Sequence, residues 1–216
     1  RGANGVILVT TKRGEEGPAK IFGRIEHSFQ SPIRKVELAD PVTYMKCYND
    51  ALISRGSLSI DDLVYSQDKI EQTGKPGANR LIYPANDWYN MLFKNVSHST
   101  RADVSIRGGG KVATYYISGA YTQDGGMLKV DHRNSFNSNI DSKKYTMRAN
   151  VDVNVTKTTK VALRLTGNFD DYTGPMSTGD KMFENVMHAD PVLFPAYYPM
   201  DEEHKGIKHI MFGNYL

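Results

Sequence analysis

The sequence predicts an all-β chain, a membrane-spanning antiparallel barrel before a soluble sheet, on three observations. Its strands alternate apolar and polar residues over long runs, the connections between them alternate long and short, and aromatic residues gather at the long-loop ends. The clearest run is Tyr145 to Val155, where Tyr145, Met147, Ala149, Val151, Val153 and Val155 oppose Thr146, Arg148, Asn150, Asp152 and Asn154. After Thr156, Lys157, Thr158 and Thr159 the pattern restarts, with Val161, Leu163, Leu165, Gly167 and Phe169 against Ala162, Arg164, Thr166, Asn168 and Asp170. Successive side chains of a strand point to opposite faces, so each segment has a greasy and a wet surface. The eleven residues of the first run exceed the ~5–6 of an ordinary strand and suit the ~9–11 of a strand that crosses a bilayer. Alternation alone also fits a soluble sheet with one buried face.

Composition narrows the choice. The 216 residues are 39% hydrophobic with a mean hydropathy of −0.49, and the longest purely aliphatic run, Val6 to Val9, is far short of the ~18 residues of a spanning helix. A helical membrane protein is therefore excluded, whereas a barrel, diluted by its lumen face and loops, is not. The net charge of +3 comes from interspersed charges of both signs, which gives no case for a nucleic-acid partner. One cysteine, Cys47, makes neither an internal disulfide nor a multi-cysteine zinc site. Arg1 brings no starting Met, signal peptide or lipidation motif, so the chain is expected to be an internal piece of something longer.

Along the chain, Val6 to Thr11 reads as a short buried strand after a turn at Gly2, Asn4 and Gly5, and residues 14–18 read as a linker. Ile21 to Phe29 alternates again. Asp40 then Pro41 is a helix start, with Val42, Met45, Tyr48 and Leu52 at helical spacing and Gly56 at the end. Further helical pieces are expected at Asp61 to Gln72 and Asp87 to Lys94. Strands resume at Arg101 to Arg107, turn over Gly108 to Lys111, and return through Ala113 to Tyr121. Gly125 to Lys143 reads as a polar loop before the two clearest strands, and a short helix over Gly179 to Ala189 precedes the aromatic, proline-rich stretch Pro191 to Pro199.

Connections of tens of residues follow the strands ending near Phe29, Tyr121 and Phe169, while turns of about four follow those ending near Arg107 and Val155. Outer-membrane barrels sort long loops outside and tight turns inside in this way. Phe29, Tyr121, Tyr145 and Phe169 all fall at the long-loop end, where an interfacial girdle belongs. Five strands do not close such a barrel, so further strands are expected beyond Leu216.

The opening RGANGVILVTTKRG closely resembles the end of the plug domain of SusC/RagA-type TonB-dependent outer-membrane transporters. TYMKCYNDAL (Thr43 to Leu52), NDWYNMLF (Asn86 to Phe93), VSIRGGGKVATYYISGAYTQDGGML (Val104 to Leu128) and YTMRANVDVNV (Tyr145 to Val155) resemble the same family in the same order. The resemblance implies a fragment of a large antiparallel plugged outer-membrane barrel with helical extracellular loop insertions. In it residues 1–14 would close the plug, 15–19 would link, and 20–216 would supply the first five barrel strands and their loops. It further implies import of oligosaccharides or peptides driven by the TonB complex, a SusD-like surface lipoprotein over the outer mouth, pairs of such assemblies, and contact with outer-membrane lipid. The alternative is a secreted soluble carbohydrate-binding β-domain, and a passive porin leaves the plug-like opening strand without a role.

An importer does no covalent chemistry, so the residues of interest are those that touch cargo. Arg148, Asn150, Asp152, Arg164 and Asn168 are candidates to line the path, the plainer reading being lumen hydration or salt bridges to the plug. Tyr172, Phe194, Tyr197 and Tyr198, read as loop aromatics, are candidates to stack on sugar rings, the plainer reading being packing within the loop or against the lid. Trp88 is expected to be structural. Gly108 to Lys111 is no phosphate loop, since Ser105 stands where the first glycine belongs and Val112 follows the lysine. Asn137, Asn139 and Asp141 lack the glycine and closing glutamate of a calcium loop, and His204 with His209 lack a third ligand. Neither a catalytic group, a metal nor a cofactor is expected. If Val151 faces lipid, Val151→Arg costs ~2–4 kcal/mol near the midplane and blocks assembly, while Asn150→Arg in the lumen is tolerated; equal tolerance of both contradicts the barrel.

Overall fold

A computed structural model describes residues 11–56, 59 and 62–213. The buried strand expected at Val6 to Thr11 and most of the plug-like opening therefore lie outside the described residues. The chain forms two compact units, the first holding residues up to Gln30 with Ser97–Gly126 and Ile140–Thr173, the second Ser31–Val96, Met127–Asn139 and the chain from Gly174 onward.

The first unit is a five-stranded antiparallel meander of β1 (Gly17–Gln30), β2 (Ser97–Gly109), β3 (Ala113–Gly125), β4 (Asp141–Asn154) and β5 (Lys160–Thr173), paired in sequence order. Every strand has 13 or 14 residues, more than the alternation alone marked out and more than a tilted crossing needs. β1 begins at Gly17, so Gly17 to Ala19 of the expected linker are already strand. β3 runs on to Gly125 and β4 starts at Asp141, which trims the polar loop between them from both ends.

Register carries the greasy face unbroken across the sheet. Ile25, Ala102, Tyr121, Tyr145 and Phe169 form one rung. Below it stand Gly23, Val104, Gly119, Met147 and Gly167, then Ile21, Ile106, Ile117, Ala149 and Leu165. Much of this face is open: Ile25 is 80% exposed, Met147 62% and Leu165 54%. Above the aromatic rung the same face turns polar at once, through His27, Thr100, Gln123, Lys143 and Asp171. Tyr145 to Val155 is ten residue steps, or ~33 Å along a strand and ~25 Å along the normal at a ~40° tilt, the height of the apolar band of an outer-membrane barrel.

Tyr121, Tyr145 and Phe169 share that upper rung, with the two tyrosine rings 5.0 Å apart. Phe29 does not join them. It stands two rungs further out, opposite His98, and packs edge-on against His27 at 4.9 Å and His98 at 5.1 Å. The residue between it and Ile25 on this face is a histidine, which takes that position out of the apolar band.

Both short turns close by local bonds. In β2–β3, Gly110 N–H donates to the Ala113 carbonyl at 2.8 Å, and Gly109 holds φ +147°, where a Cβ would strike Ala113 and Thr114. In β4–β5 the Thr156 hydroxyl accepts from the N–H of Thr158 at 3.2 Å and of Thr159 at 2.9 Å.

The second unit carries α1 (Pro41–Ser54), α2 (Gln67–Gln72), α3 (Trp88–Leu92), α4 (Gly179–His188) and a two-stranded ribbon of β6 (Tyr197–Tyr198) and β7 (Met211–Phe212). The Asp40 carboxylate caps α1 by accepting from Val42 N–H at 3.0 Å and Thr43 N–H at 3.1 Å, and the Thr43 hydroxyl, which donates to it at 2.5 Å, together with those backbone bonds holds its pKa below the ordinary value. α2 is shorter than the stretch expected from Asp61, a residue outside the described ones. Ser66 caps it through Lys69 N–H at 3.2 Å, while Tyr65 is held in place by Asn49, which accepts from its N–H at 3.2 Å and donates to its carbonyl at 2.8 Å. With both backbone groups of Tyr65 committed to a side chain, the helix starts after it. α3 likewise starts after its cap Asp87 and stops before Phe93, which bridges to Leu128.

Met45 of α1, Tyr65, Ile70 of α2 and Val192 form the core of this unit. Asp190 ties the two ends together, accepting from the Tyr65 hydroxyl at 2.6 Å and from Val192 N–H at 2.7 Å, while its carbonyl accepts from Trp88 Nε1 at 2.9 Å. Trp88 is thus structural, as expected. Burial, with the Asp190 carboxylate beside it, pushes the Tyr65 hydroxyl pKa up.

Candidate functional site

Polar chemistry collects in two places, one in each unit. In the sheet it lies on the face opposite the apolar band. Lys20, Arg107, Tyr116, Asn150 and Arg164 make one rung there, and Ser105, Ser118, Arg148 and Thr166 stand next to it with the exposed Phe22 of β1 at the rung's edge. Arg148, Asn150, Asp152, Arg164 and Asn168 therefore do share a face. Tyr172 joins them, because β5 runs through Thr173 and sets Tyr172 opposite Ser142, a strand position and not the loop position expected for it.

Asn150 is only 2% exposed. Its Nδ2 donates to the Lys12 carbonyl at 2.7 Å and lies 3.4 Å from the Thr11 hydroxyl. Two further contacts hold residues 12–15 across this face. Glu15 pairs with Arg107 at 3.0 Å, and Gly14 comes so close to β3 that a Cβ would run into the backbone of Thr114 and Tyr115. Only glycine fits that crossing.

Several of the other charges pair with near neighbours. Arg164 binds Asp152 and also donates to the carbonyls of Val151 at 3.1 Å and Leu163 at 2.9 Å. Arg101 grips Asp103 through two bonds, at 2.8 and 3.2 Å, and Arg24 binds Glu26. Arg148 is half-buried between Ser118 and Thr166, and Asn168 is exposed opposite Thr146. Locally paired charges and hydroxyls make a hydrated wall; they include no nucleophile with an attendant base.

The second place is a cleft of about 590 Å³ in the loop unit. Tyr197 and Tyr198 of β6 line it together with Arg80, Arg133 and His209. The ribbon exists because Tyr197 pairs with Phe212 and Tyr198 with Met211. Arg133 is fixed by Asp131, Nε to Oδ1 at 3.0 Å and Nη2 to Oδ2 at 2.6 Å, and its guanidinium lies 4.6 Å from the centre of the Tyr197 ring. The same guanidinium pushes the Asp131 carboxyl down to about 2, so the pair is ionised at neutral pH. Phe194, a candidate to stack on cargo with packing within the loop as the plainer reading, is half-buried against Trp88 with ring centres 5.7 Å apart, and its carbonyl accepts from Asn86 Nδ2 at 2.8 Å.

Sequence reasoning did not single out Arg80, Arg133 or Asp190. Arg133 left a trace in its spacing from Asp131; Asp190 left none of its role, since Tyr65 and Trp88 are more than a hundred residues away. Among the described residues no group of three His, Cys, Asp or Glu side chains is arranged to hold a metal ion, and no helix is long and apolar enough to cross a membrane, which says nothing of strands.

No family model matches the chain. It is 30% identical over 172 residues, 77% of its length, to TonB-dependent receptor P3 of Formosa agariphila, and 29% identical over 178 residues to TonB-dependent receptor P26 of the same organism. It is 27% identical over 142 residues to TonB-dependent receptor SusC of Bacteroides thetaiotaomicron. The chain spans 13%, 15% and 12% of the lengths of these three relatives. Its fold matches the RagAB peptide importer in the 'open-open' state with a TM-score of 0.61 at 18% identity, over 97% of this chain and 25% of that one. A second structure, of the RagAB peptide transporter, gives a TM-score of 0.62 at 17% identity over 98% of this chain.

Burial of Asn150 overturns the expectation that arginine is tolerated there, because a guanidinium has no room under residues 11 and 12 and cannot replace the bond to Lys12. Even Asn150→Ala leaves the Lys12 carbonyl without its donor, at a cost of ~1–3 kcal/mol. Trypsin is predicted to cut such a variant faster at Lys12 and Arg13 than the unaltered receptor, read by mass spectrometry. An unchanged cleavage rate shows that Asn150 does not hold this crossing.

Proposed function

Taking as premise that this chain belongs to the SusC/RagA-type TonB-dependent receptors, we propose that it is part of an active importer in the outer membrane. Residues 1–14 end the plug, 15–19 lead to the wall, and the strands from residue 20 onward begin the barrel. The importer works with a SusD-like lipoprotein over its outer mouth and with the TonB complex, such pairs associate in twos, and the cargo is an oligosaccharide or a peptide.

One observation carries this reading: a continuous apolar face lies open across all five strands, with Ile21, Ile25, Val104, Ile117, Met147 and Leu165 all exposed, while the opposite face holds the buried Asn150 and the Asp152–Arg164 pair. A soluble sheet buries its apolar face. A barrel wall turns it to lipid and keeps polar groups for the lumen. The secreted carbohydrate-binding alternative therefore has the polarity reversed. A passive pore is disfavoured by the crossing at residues 12–15, which brings chain from outside the wall against its lumen face.

Each part has a task under this reading. The paired charges Asp152–Arg164 and Asp103–Arg101 keep the wall wet while holding much of its charge in local pairs. The loop unit, with its own core, presents Tyr197, Tyr198 and Arg133 as a preformed cleft.

The test is uptake in the native host, comparing intact cells with cells lacking this receptor and cells lacking TonB, on a peptide mixture and on a panel of polysaccharides. The account predicts that one nutrient is lost equally from both deletions. A nutrient that still enters without TonB but not without the receptor makes the protein a passive pore.

A further inference from the structure

The loop cleft has a chemistry that discriminates between the two cargo classes. None of its lining residues is acidic. Arg80 has no ion-pair partner among the described residues, and Arg133, although held by Asp131, presents its guanidinium beside Tyr197. The cleft thus offers positive charge at a place where charge complementarity calls for an anion, and guanidinium groups match the planar fork of a carboxylate.

Its walls argue about the rest of the ligand. Leu81, Met91, Met200, Ile210 and Met211 give aliphatic and thioether surface, the adaptable lining that accommodates varied apolar side chains. A neutral sugar carries no charge to pair with the Arg80 and Arg133 guanidinium groups, and its hydroxyls find no polar partner along the aliphatic and thioether wall. The one amide in the lining, Asn86, spends its Nδ2 on the Phe194 carbonyl at 2.8 Å. The volume of about 590 Å³ is within the range of small-ligand sites, ~300–1,000 Å³.

We propose that this cleft takes oligopeptides carrying a free carboxylate beside an apolar side chain, an assignment that rests on the import reading above and names its cargo class. The Arg80 and Arg133 guanidinium groups receive the carboxylate. The methionine-rich wall receives the neighbouring side chain, and Tyr197 and Tyr198 offer ring faces and hydroxyls to the peptide between them.

The experiment uses the full-length receptor purified from outer membranes with any lipoprotein that accompanies it. Its probes are a tryptic digest of casein, the same digest with its carboxyls converted to methyl esters, neutral maltooligosaccharides, and oligogalacturonates as a carboxylate source without apolar side chains. Retention is read by mass spectrometry. The digest is expected to bind, esterification to weaken it about tenfold or more, and Arg80→Gln to cause a similar loss. Met200→Glu, which sets a like charge in the cleft, is expected to lose as much while reaching the outer membrane at the normal level. Retention of the ester as well as the acid, binding of either sugar series in preference, or no retention of the digest overturns the proposal. The two readings fail separately. TonB-dependent entry of a sugar unaffected by Arg80→Gln leaves import standing and removes the peptide assignment, whereas ester-sensitive peptide binding without TonB-dependent entry does the reverse.

Discussion

A peptide group inside lipid finds no water to bond, so a chain that crosses as strands must complete its ladder with neighbouring strands and turn its apolar side chains outward. The first unit is organised by that constraint. β1 to β5 pair in sequence order over their whole lengths, with a single register shift between Gly17 and Lys20. Because side chains alternate with a period of two, this pairing sets the large aliphatic residues of five strands on one side, with the exposed Phe22 as an exception on the other; a one-residue slip would send the greasy set of a strand into the lumen. Tight turns at Gly109–Gly110 and at Thr156 fix the register at one end, which frees the other end to carry long insertions.

Those insertions do not depend on the sheet for their core. Met45, Tyr65, Ile70 and Val192 pack together, and Asp190 joins residues from the first long loop to residues of the last. A cleft built on such a core is formed before cargo arrives, which lowers the ordering cost of binding. The wall carries what lipid and water demand, and under the proposed import reading the loop unit would carry recognition.

How much of this was legible in the sequence follows from the range of each interaction. Alternation in Tyr145 to Val155 and Val161 to Phe169 reports the faces directly, and the Asp40–Pro41 start of α1 reports itself through a cap only two and three residues away. Bonds between distant residues leave no period. Asn150 reads as one polar strand residue among several, yet it is buried because Lys12 reaches it. Tyr65 reads as part of a helix until Asn49 takes both its backbone groups. Tyr197 and Tyr198 were legible as candidates by residue type, but their pairing with Phe212 and Met211 was not, since two-residue strands carry no pattern. Tyr172 went astray because it lies on a strand longer than its apolar alternation, whereas Phe194 follows its plainer reading, held inside the loop unit by Trp88.

The central claim is that the apolar face of this sheet meets lipid and the polar face meets water. Nitroxide labels placed one at a time from 145 to 153 in the full-length receptor, with the exposed Cys47 replaced by serine, test it in native outer membranes. Collision with oxygen reports lipid and collision with a water-soluble nickel chelate reports water. The account predicts a period of two, with the label at Met147 favouring oxygen and the label at Thr146 favouring nickel. Uniform access of nickel to both positions, or the reverse alternation, would contradict it and return the sheet to a soluble domain.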